Sequence, residues 1–433
     1  MKTTPKALRL HIGIFGRTNV GKSSFLNLVA GQDVAITSPV AGTTTDVVEK
    51  VMELLPIGPV VFLDTAGLDD LSALGELRIR KTKKVFDRSD VIILITEPDT
   101  WTDYEKAVME ETRRRAIAVI VAVNKVDIKE PSPYFIEALK KETEKILLCS
   151  SADPAMRDRY VNPLKKLLIE ICPEDFLKPP PLVGDLVETA GLALFIIPID
   201  KEAPKGRLIL PQSQAIRDCL DHGVAVTVVR ETEYVAALEK LKGYPDIVAC
   251  DSQVVSRMVR ETPPPVRCTT FSILFSRHRG DLLDAVRGVR AVDRLKPGDK
   301  VLLAEACSHH AIEDDIGRVK IPRWLGRRIG GAVSMDVCSG KDYPEDLRSY
   351  KLVIHCGGCM INRREMLTRI QKAREARVPM TNYGVCIAYL EGVLERVLSP
   401  FPAALGLLRQ GEEAAVYHRG SEKAVVCDII GGK

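Results

Sequence analysis

Gly16-Arg17-Thr18-Asn19-Val20-Gly21-Lys22-Ser23 follows the apolar run Leu10 to Phe15 and precedes an expected helix, Ser24 to Ala30. The pattern is the complete phosphate-binding loop in the strand-loop-helix setting it requires. Its glycines let backbone amides close on phosphate oxygens, and the helix start adds partial positive charge. Lys22 is expected on the β and γ phosphates, and the Ser23 hydroxyl on magnesium. One stretch therefore predicts an α/β nucleotide-binding domain at the N-terminus.

Further pieces follow in the order a guanine-nucleotide site needs. Asp64-Thr65-Ala66-Gly67 ends the apolar run Val60 to Leu63, so Asp64 is placed to hold magnesium through water and Gly67 to offer an amide to the γ-phosphate. Asn124-Lys125-Val126-Asp127 follows Ala118 to Val123. Asp127 can accept from the ring N1–H and exocyclic amine of guanine, a pair adenine does not offer; a charge-assisted bond of this kind contributes about 1.5 to 3 kcal/mol. Ser150-Ser151-Ala152 fits the last guanine-contacting loop. The predicted contact set is Gly16 to Ser24, Asp64, Gly67, Asn124, Lys125, Asp127, Ser151 and Ala152, with GTP or GDP and magnesium as ligands.

Strand-like runs alternate with helical stretches along the rest of the chain, at Val91 to Ile95, Ile146 to Cys149, Leu194 to Ile199, Val224 to Val229, Ile247 to Cys250, Lys300 to Glu305, Ala332 to Val337 and Lys351 to His355. The expected fold class is α/β, a P-loop domain with a mostly parallel sheet followed by two further α/β domains. Pro179-Pro180-Pro181 and Pro263-Pro264-Pro265 stiffen the backbone and remove amide donors, as connectors do. They set expected domains at 1–177, 182–264 and 266–433.

In the third segment stand Cys307-Ser308-His309 and, after 45 intervening residues, His355-Cys356-Gly357-Gly358-Cys359. The trio Cys307, Cys356 and Cys359 is expected to bind a metal after two strand ends, where open α/β sheets form crevices. Three cysteines with one histidine fit either a structural zinc site or an iron-sulfur cluster with one non-cysteine ligand, and spacing does not choose between them. His309, His355 and Asp314 are candidates for the fourth position.

With 62 Lys and Arg against 58 Asp and Glu, the net charge of +4 on 433 residues gives no reason to expect nucleic acid as a bulk electrostatic partner. No apolar run reaches the roughly 20 residues that span a bilayer, and the first ten residues lack the apolar stretch of a secretory leader. A cytoplasmic location without membrane attachment is the expectation. The eleven cysteines, odd in number and mostly scattered, do not read as a disulfide framework.

The first segment resembles the TrmE-Era-EngA branch of GTPases through Asn19, Ala41-Gly42-Thr43-Thr44-Thr45-Asp46 and Asp64-Thr65-Ala66-Gly67-Leu68. The resemblance implies that Thr44 is the switch threonine on magnesium and that Asn19 holds a potassium ion beside the phosphates. Lys22, Asn19, Thr44, Asp64 and Gly67 are then the groups acting in hydrolysis. Leu68 stands where Ras-like enzymes place their water-orienting Gln, which predicts unassisted turnover of about 10⁻⁴ to 10⁻² s⁻¹, stimulated by potassium.

A GTPase of this branch joined to Cys-x-His and His-Cys-x-x-Cys resembles the FeFe-hydrogenase maturation GTPases, the HydF family, over essentially the whole chain. That resemblance implies a homodimeric or larger scaffold whose middle segment dimerises and whose Cys307, Cys356 and Cys359 hold a 4Fe-4S cluster. It further implies that the scaffold receives a transient diiron precursor from radical-SAM maturases and delivers it to apo-FeFe-hydrogenase. Rival expectations are a zinc-stabilised regulatory GTPase and an RNA-directed GTPase.

Overall fold

The computed structural model describes residues 5–31, 48–65, 75–199, 208–280, 282–307, 315–340 and 342–410. The chain divides at Pro179 into two compact units.

The first unit contains β1 (Leu10–Phe15), α1 (Lys22–Ala30), β2 (Val48–Leu54), β3 (Gly58–Asp64), α2 (Gly75–Arg88), β4 (Val91–Thr96), α3 (Asp103–Arg114), β5 (Ala118–Val123), α4 (Pro133–Glu142), β6 (Ile146–Leu148), α5 (Arg157–Ile171) and the short α6 (Glu174–Leu177). Its six-stranded sheet has the order β2-β3-β1-β4-β5-β6, parallel except for β2, which runs antiparallel to β3. Every residue of β1 and β4 is buried, which is why both read as mostly apolar runs, His11 and Thr96 excepted, rather than alternations. Leu10, Ile12 and Ile14 join Phe25, Leu164 and Leu168 in a core on one face. Phe15, Val61 and Leu63 join Val85, Val108 and Leu139 in the core on the other. The carboxyl ends of β1, β3 and β5 thus meet along one edge of the sheet.

The second unit contains β7 (Leu192–Ile196), α7 (Leu210–Asp221), β8 (Ala225–Val229), α8 (Tyr234–Lys240), β9 (Ile247–Cys250), α9 (Val255–Glu261), β10 (Arg267–Thr270), α10 (Phe271–Arg279), α11 (Leu282–Val289), β11 (Lys300–Glu305), α12 (Ile321–Ile329), β12 (Ser334–Ser339), β13 (Leu352–His355), α13 (Arg363–Glu375), β14 (Met380–Asn382), α14 (Tyr383–Leu390) and α15 (Leu394–Val397). It holds two four-stranded parallel sheets, β10-β9-β7-β8 and β12-β11-β13-β14.

The segments on either side of the second proline cluster share one hydrophobic core, running from Leu182 to Leu408. β10 lies beyond those prolines yet pairs with β9, so the middle sheet takes an edge strand from residues 267–270. Pro263 to Pro265 form a turn rather than a free linker. Arg396 closes it by donating to the carbonyls of Pro263 at 3.0 Å and Val266 at 2.5 Å. The apolar α14 packs against α10, α11, α12 and α15 between the elements of both sheets. Among the described residues no helix is long and apolar enough to cross a membrane.

Candidate functional site

The loop after β1 is shaped by its own lysine and by a distant asparagine. Lys22 is buried, and its Nζ donates to the carbonyls of Gly16 at 2.6 Å and Arg17 at 2.9 Å. Thr18, Asn19, Ser23 and Ser24 are exposed, leaving that face of the loop open to a ligand. Gly21 has φ +91°, and a Cβ there would meet Asn124 Nδ2 at 2.4 Å, so both backbone and space require glycine. Asn124 Nδ2 donates to Val20 O at 2.9 Å, and Asn124 Oδ1 accepts from Ser151 N at 3.1 Å. One buried amide therefore ties the phosphate loop to both segments expected to hold guanine.

The remaining predicted residues sit around this frame. Asp64 is buried at the end of β3, and the neighbouring Thr65 hydroxyl donates to Ile14 O at 2.7 Å, fixing that strand end against β1. Asp127 and Ala152 are exposed. The Lys125 ammonium pairs with Glu97. The side chain of Arg17 points away from phosphate chemistry: its Nε donates to the buried Glu105 at 2.8 Å, and Glu105 also caps α3 by accepting from Thr102 N at 2.8 Å. Only the backbone of Arg17 belongs to the nucleotide loop. Thr44, Gly67 and Leu68 lie outside the described residues.

The cysteine site is built from two adjacent strand ends. β11 and β13 pair with Ala304 opposite His355, and Cys356 N donates to Ala304 O at 2.9 Å, which brings Cys307 and Cys356 to the same edge. Cys356 Sγ accepts from Ala306 N at 3.1 Å and Gly358 N at 3.4 Å, two bonds that partly offset the burial that raises its pKa. Gly358 has φ +67°, and a Cβ would meet Met366 at 2.3 Å, so the turn also needs its glycine. Asn362 caps α13 by accepting from Glu365 N at 3.0 Å and ends the turn.

Burial pushes the Cys359 thiol up to about 12 and Cys307 to about 11, with the charges of the other cysteines adding to the rise. The three thiols thus influence one another directly. Burying them as thiolates is unfavourable unless a cationic centre offsets the charge, and that donor chemistry fits a metal cluster. Among the described residues, however, no three His, Cys, Asp or Glu groups converge as a single-ion site needs. A cavity of about 30 Å³ adjoins Cys356 and Gly357, closed by Met366, Ile370 and Met380.

His355 is not available as a fourth ligand. It is 1% exposed, its Nδ1 lies 2.7 Å from Cys356 O, and its Nε2 lies 3.0 Å from Arg369 Nη1. An arginine only donates, so Nε2 accepts, Nδ1 carries the proton, and both ring nitrogens are engaged. Burial, then Arg369, holds its pKa at about 3. His309 and Asp314 lie outside the described residues.

Two groups at this site carry no sequence signal. Glu305, 2% exposed, feels the charges of both Cys307 and Cys356 and is held by Arg318 at 2.8 Å and by the Tyr383 hydroxyl at 3.3 Å. Arg279, from α10, donates to Ile361 O at 2.6 Å across the cysteine turn.

Residues 182–280 match the family model described as the hydrogen maturase F dimerization domain, and residues 283–400 match its tetramerization domain. Residues 11–125 match the model described as a 50S ribosome-binding GTPase. Among curated proteins, the tRNA modification GTPase MnmE of a Synechococcus strain is 38% identical over 125 residues, 28% of this chain and 26% of that protein. GTPase Der of Wolinella succinogenes is 29% identical over 170 residues, 37% of this chain and 36% of that protein. The chain thus spans only about a quarter to a third of the length of these relatives. Among solved structures, Era of Aquifex aeolicus bound to GDP and aluminium fluoride is 22% identical, with 51% of this chain and 92% of that one covered at a TM-score of 0.31. The two maturase models together take in half of the chain, beginning just after the phosphate-loop unit ends. The chain belongs to the hydrogen maturase F family, with a P-loop GTPase domain at its N-terminal end.

Proposed function

We propose that this chain binds and hydrolyses GTP and serves as a scaffold that holds a 4Fe-4S cluster on Cys307, Cys356 and Cys359. In that role it takes up the diiron precursor of the hydrogenase cofactor from radical-SAM maturases and passes it to apo-FeFe-hydrogenase. The observation that carries the reading is the thiol trio at the ends of β11 and β13, in a chain whose other unit ties a phosphate loop to the guanine-contacting segments through Asn124. In a cubane each thiolate binds a different iron, so the trio need not converge on one point as it must around zinc.

Asp127 selects guanine, Lys22 neutralises the phosphates, and Ser23, Thr44 and Asp64 hold magnesium, which offsets the charge on the transferring phosphoryl group. Asn19 holds potassium in place of an arginine finger, and equal turnover in sodium and potassium would refute that role. The γ-phosphate orders the segments around Thr44 and Gly67 and so biases docking or release of partners. The fourth cluster position falls to His309 or Asp314, a replaceable nitrogen or oxygen ligand that leaves one iron open to exchange. The family's two oligomerisation domains support assembly into dimers and larger species. RNA features in the name of the Synechococcus relative, which matches 28% of this chain.

The deciding experiment is anaerobic purification of wild type and Cys356→Ser, with iron, sulfide and zinc analysis and a visible spectrum. Iron and sulfide near four per chain, lost in the variant, is the expected result. Stoichiometric zinc without colour after iron-sulfide reconstitution would establish a zinc-stabilised GTPase instead. Retention on RNA at physiological salt would point to the RNA-directed reading.

A further inference from the structure

Arg279 is 2% exposed, and only one of its nitrogens has a described partner, the Nη1 that donates to Ile361 O at 2.6 Å. Its Nε and Nη2 are buried and meet no hydrogen-bond acceptor among the described residues. The guanidinium lies over the Phe275 ring at 5.3 Å, and the titratable group it is coupled to is the Cys359 thiol. Burying a cation with idle N–H groups is unfavourable, so such a group signals an anion missing from the protein's own side chains. Three thiolates outweigh the charge of a 4Fe-4S core and leave the assembly anionic, more so when reduced. Net charge and hydrogen bonds to sulfur are the main levers on its potential.

We propose that Arg279 is a positioning residue for the cluster, supplying hydrogen bonds and positive charge to its Cys359 side and raising its reduction potential. The proposal rests on the cluster reading above. Its structural logic is that α10 carries a charge donor into the cysteine turn from outside it. Arg279 therefore orders the turn through Ile361 and compensates the cluster through its other two donors. A planar fork serves both purposes at once, which a lysine does not.

The test uses the full chain, reconstituted anaerobically, as wild type, Arg279→Gln and Arg279→Lys. Iron and sulfide content, an EPR-monitored redox titration, thermal melting and GTPase rate are measured on each. Near-wild-type iron is expected in both variants. In the Gln variant the midpoint potential should fall by the equivalent of about a tenfold change in the reduced-to-oxidised ratio, about 59 mV for one electron. The Lys variant, with charge but no fork, should fall between. Fully loaded variants at the wild-type potential would overturn the proposal and leave the cluster reading standing. If Gln fails to fold, a folded and loaded Lys variant with wild-type potential and EPR spectrum also overturns it. Failure of both to fold would confine Arg279 to bracing Ile361. A wild type that takes up no iron and sulfide removes the parent reading and the proposal together.

Discussion

The phosphate loop and the cysteine turn both follow a parallel strand, yet they are stabilised in different ways. The first is held by side chains of the nucleotide motifs themselves: Lys22 on two loop carbonyls, and Asn124 from the end of β5 on Val20 and Ser151. The second is held by charged groups, Arg279 from the distant α10 and Arg369 from α13 just after the turn, around thiols that burial keeps protonated. A loop satisfied by itself is ready for its ligand. A turn that buries idle donors and mutually opposed thiols is completed by one.

The largest effects should separate the two sites cleanly. Lys22→Ala removes the charge on the phosphates and the brace on the loop, so GTP affinity should fall at least about a hundredfold. Iron uptake should stay at the wild-type level, and nucleotide titration beside iron analysis checks both. Cys307→Ser or Cys359→Ser should do the reverse, losing the visible absorption of the cluster while nucleotide affinity is unchanged. If either substitution disables both sites, the contrast between them is false.

Smaller effects sharpen the contrast. Asn124→Ala leaves buried partners on Val20 and Ser151 unsatisfied and should lower the stability of the first unit by about 1 to 3 kcal/mol. Denaturant unfolding followed by guanine-nucleotide release would measure it. Acid stability tests the first unit in another way. His11 is buried, and burial, then Arg88, holds its pKa at about 3 against an ordinary 6.5. The unfolded chain takes up the proton first, so the contribution of neutral His11 is complete above pH 6.5. It declines as pH falls toward 3, by at most about 1.4 kcal/mol per pH unit. His11→Gln should flatten the dependence of melting temperature on pH between 6 and 4.

How much of each site could be read in advance follows the same division. The nucleotide loop and its strand were legible because motif, strand and helix start are contiguous, and β1, β4 and β5 are apolar but for His11 and Thr96. β2 was not, because Glu49, Lys50 and Glu53 interrupt a strand at the sheet edge. β10 was obscured by the prolines before it, since a proline cluster looks the same whether it links domains or turns within one. At the cysteine site the three thiols stood out by their spacing, but His355 looked like a ligand when its ring is spent on Arg369 and a carbonyl. Glu305 and Arg279 were invisible because their chemistry depends on what the fold brings beside them.

The clamp from Arg396 onto Pro263 and Val266 also bears on how the molecule is made. During synthesis the phosphate-loop unit can close once its own 179 residues have emerged, because all its strands pair within them. The second unit waits much longer: β10 has its neighbour α15, and the turn before β10 its Arg396 clamp, only after the chain has passed residue 390. Cys307, Cys356 and Cys359 all leave the ribosome before that point, so the strands that carry them emerge before the clamp that completes the shared core.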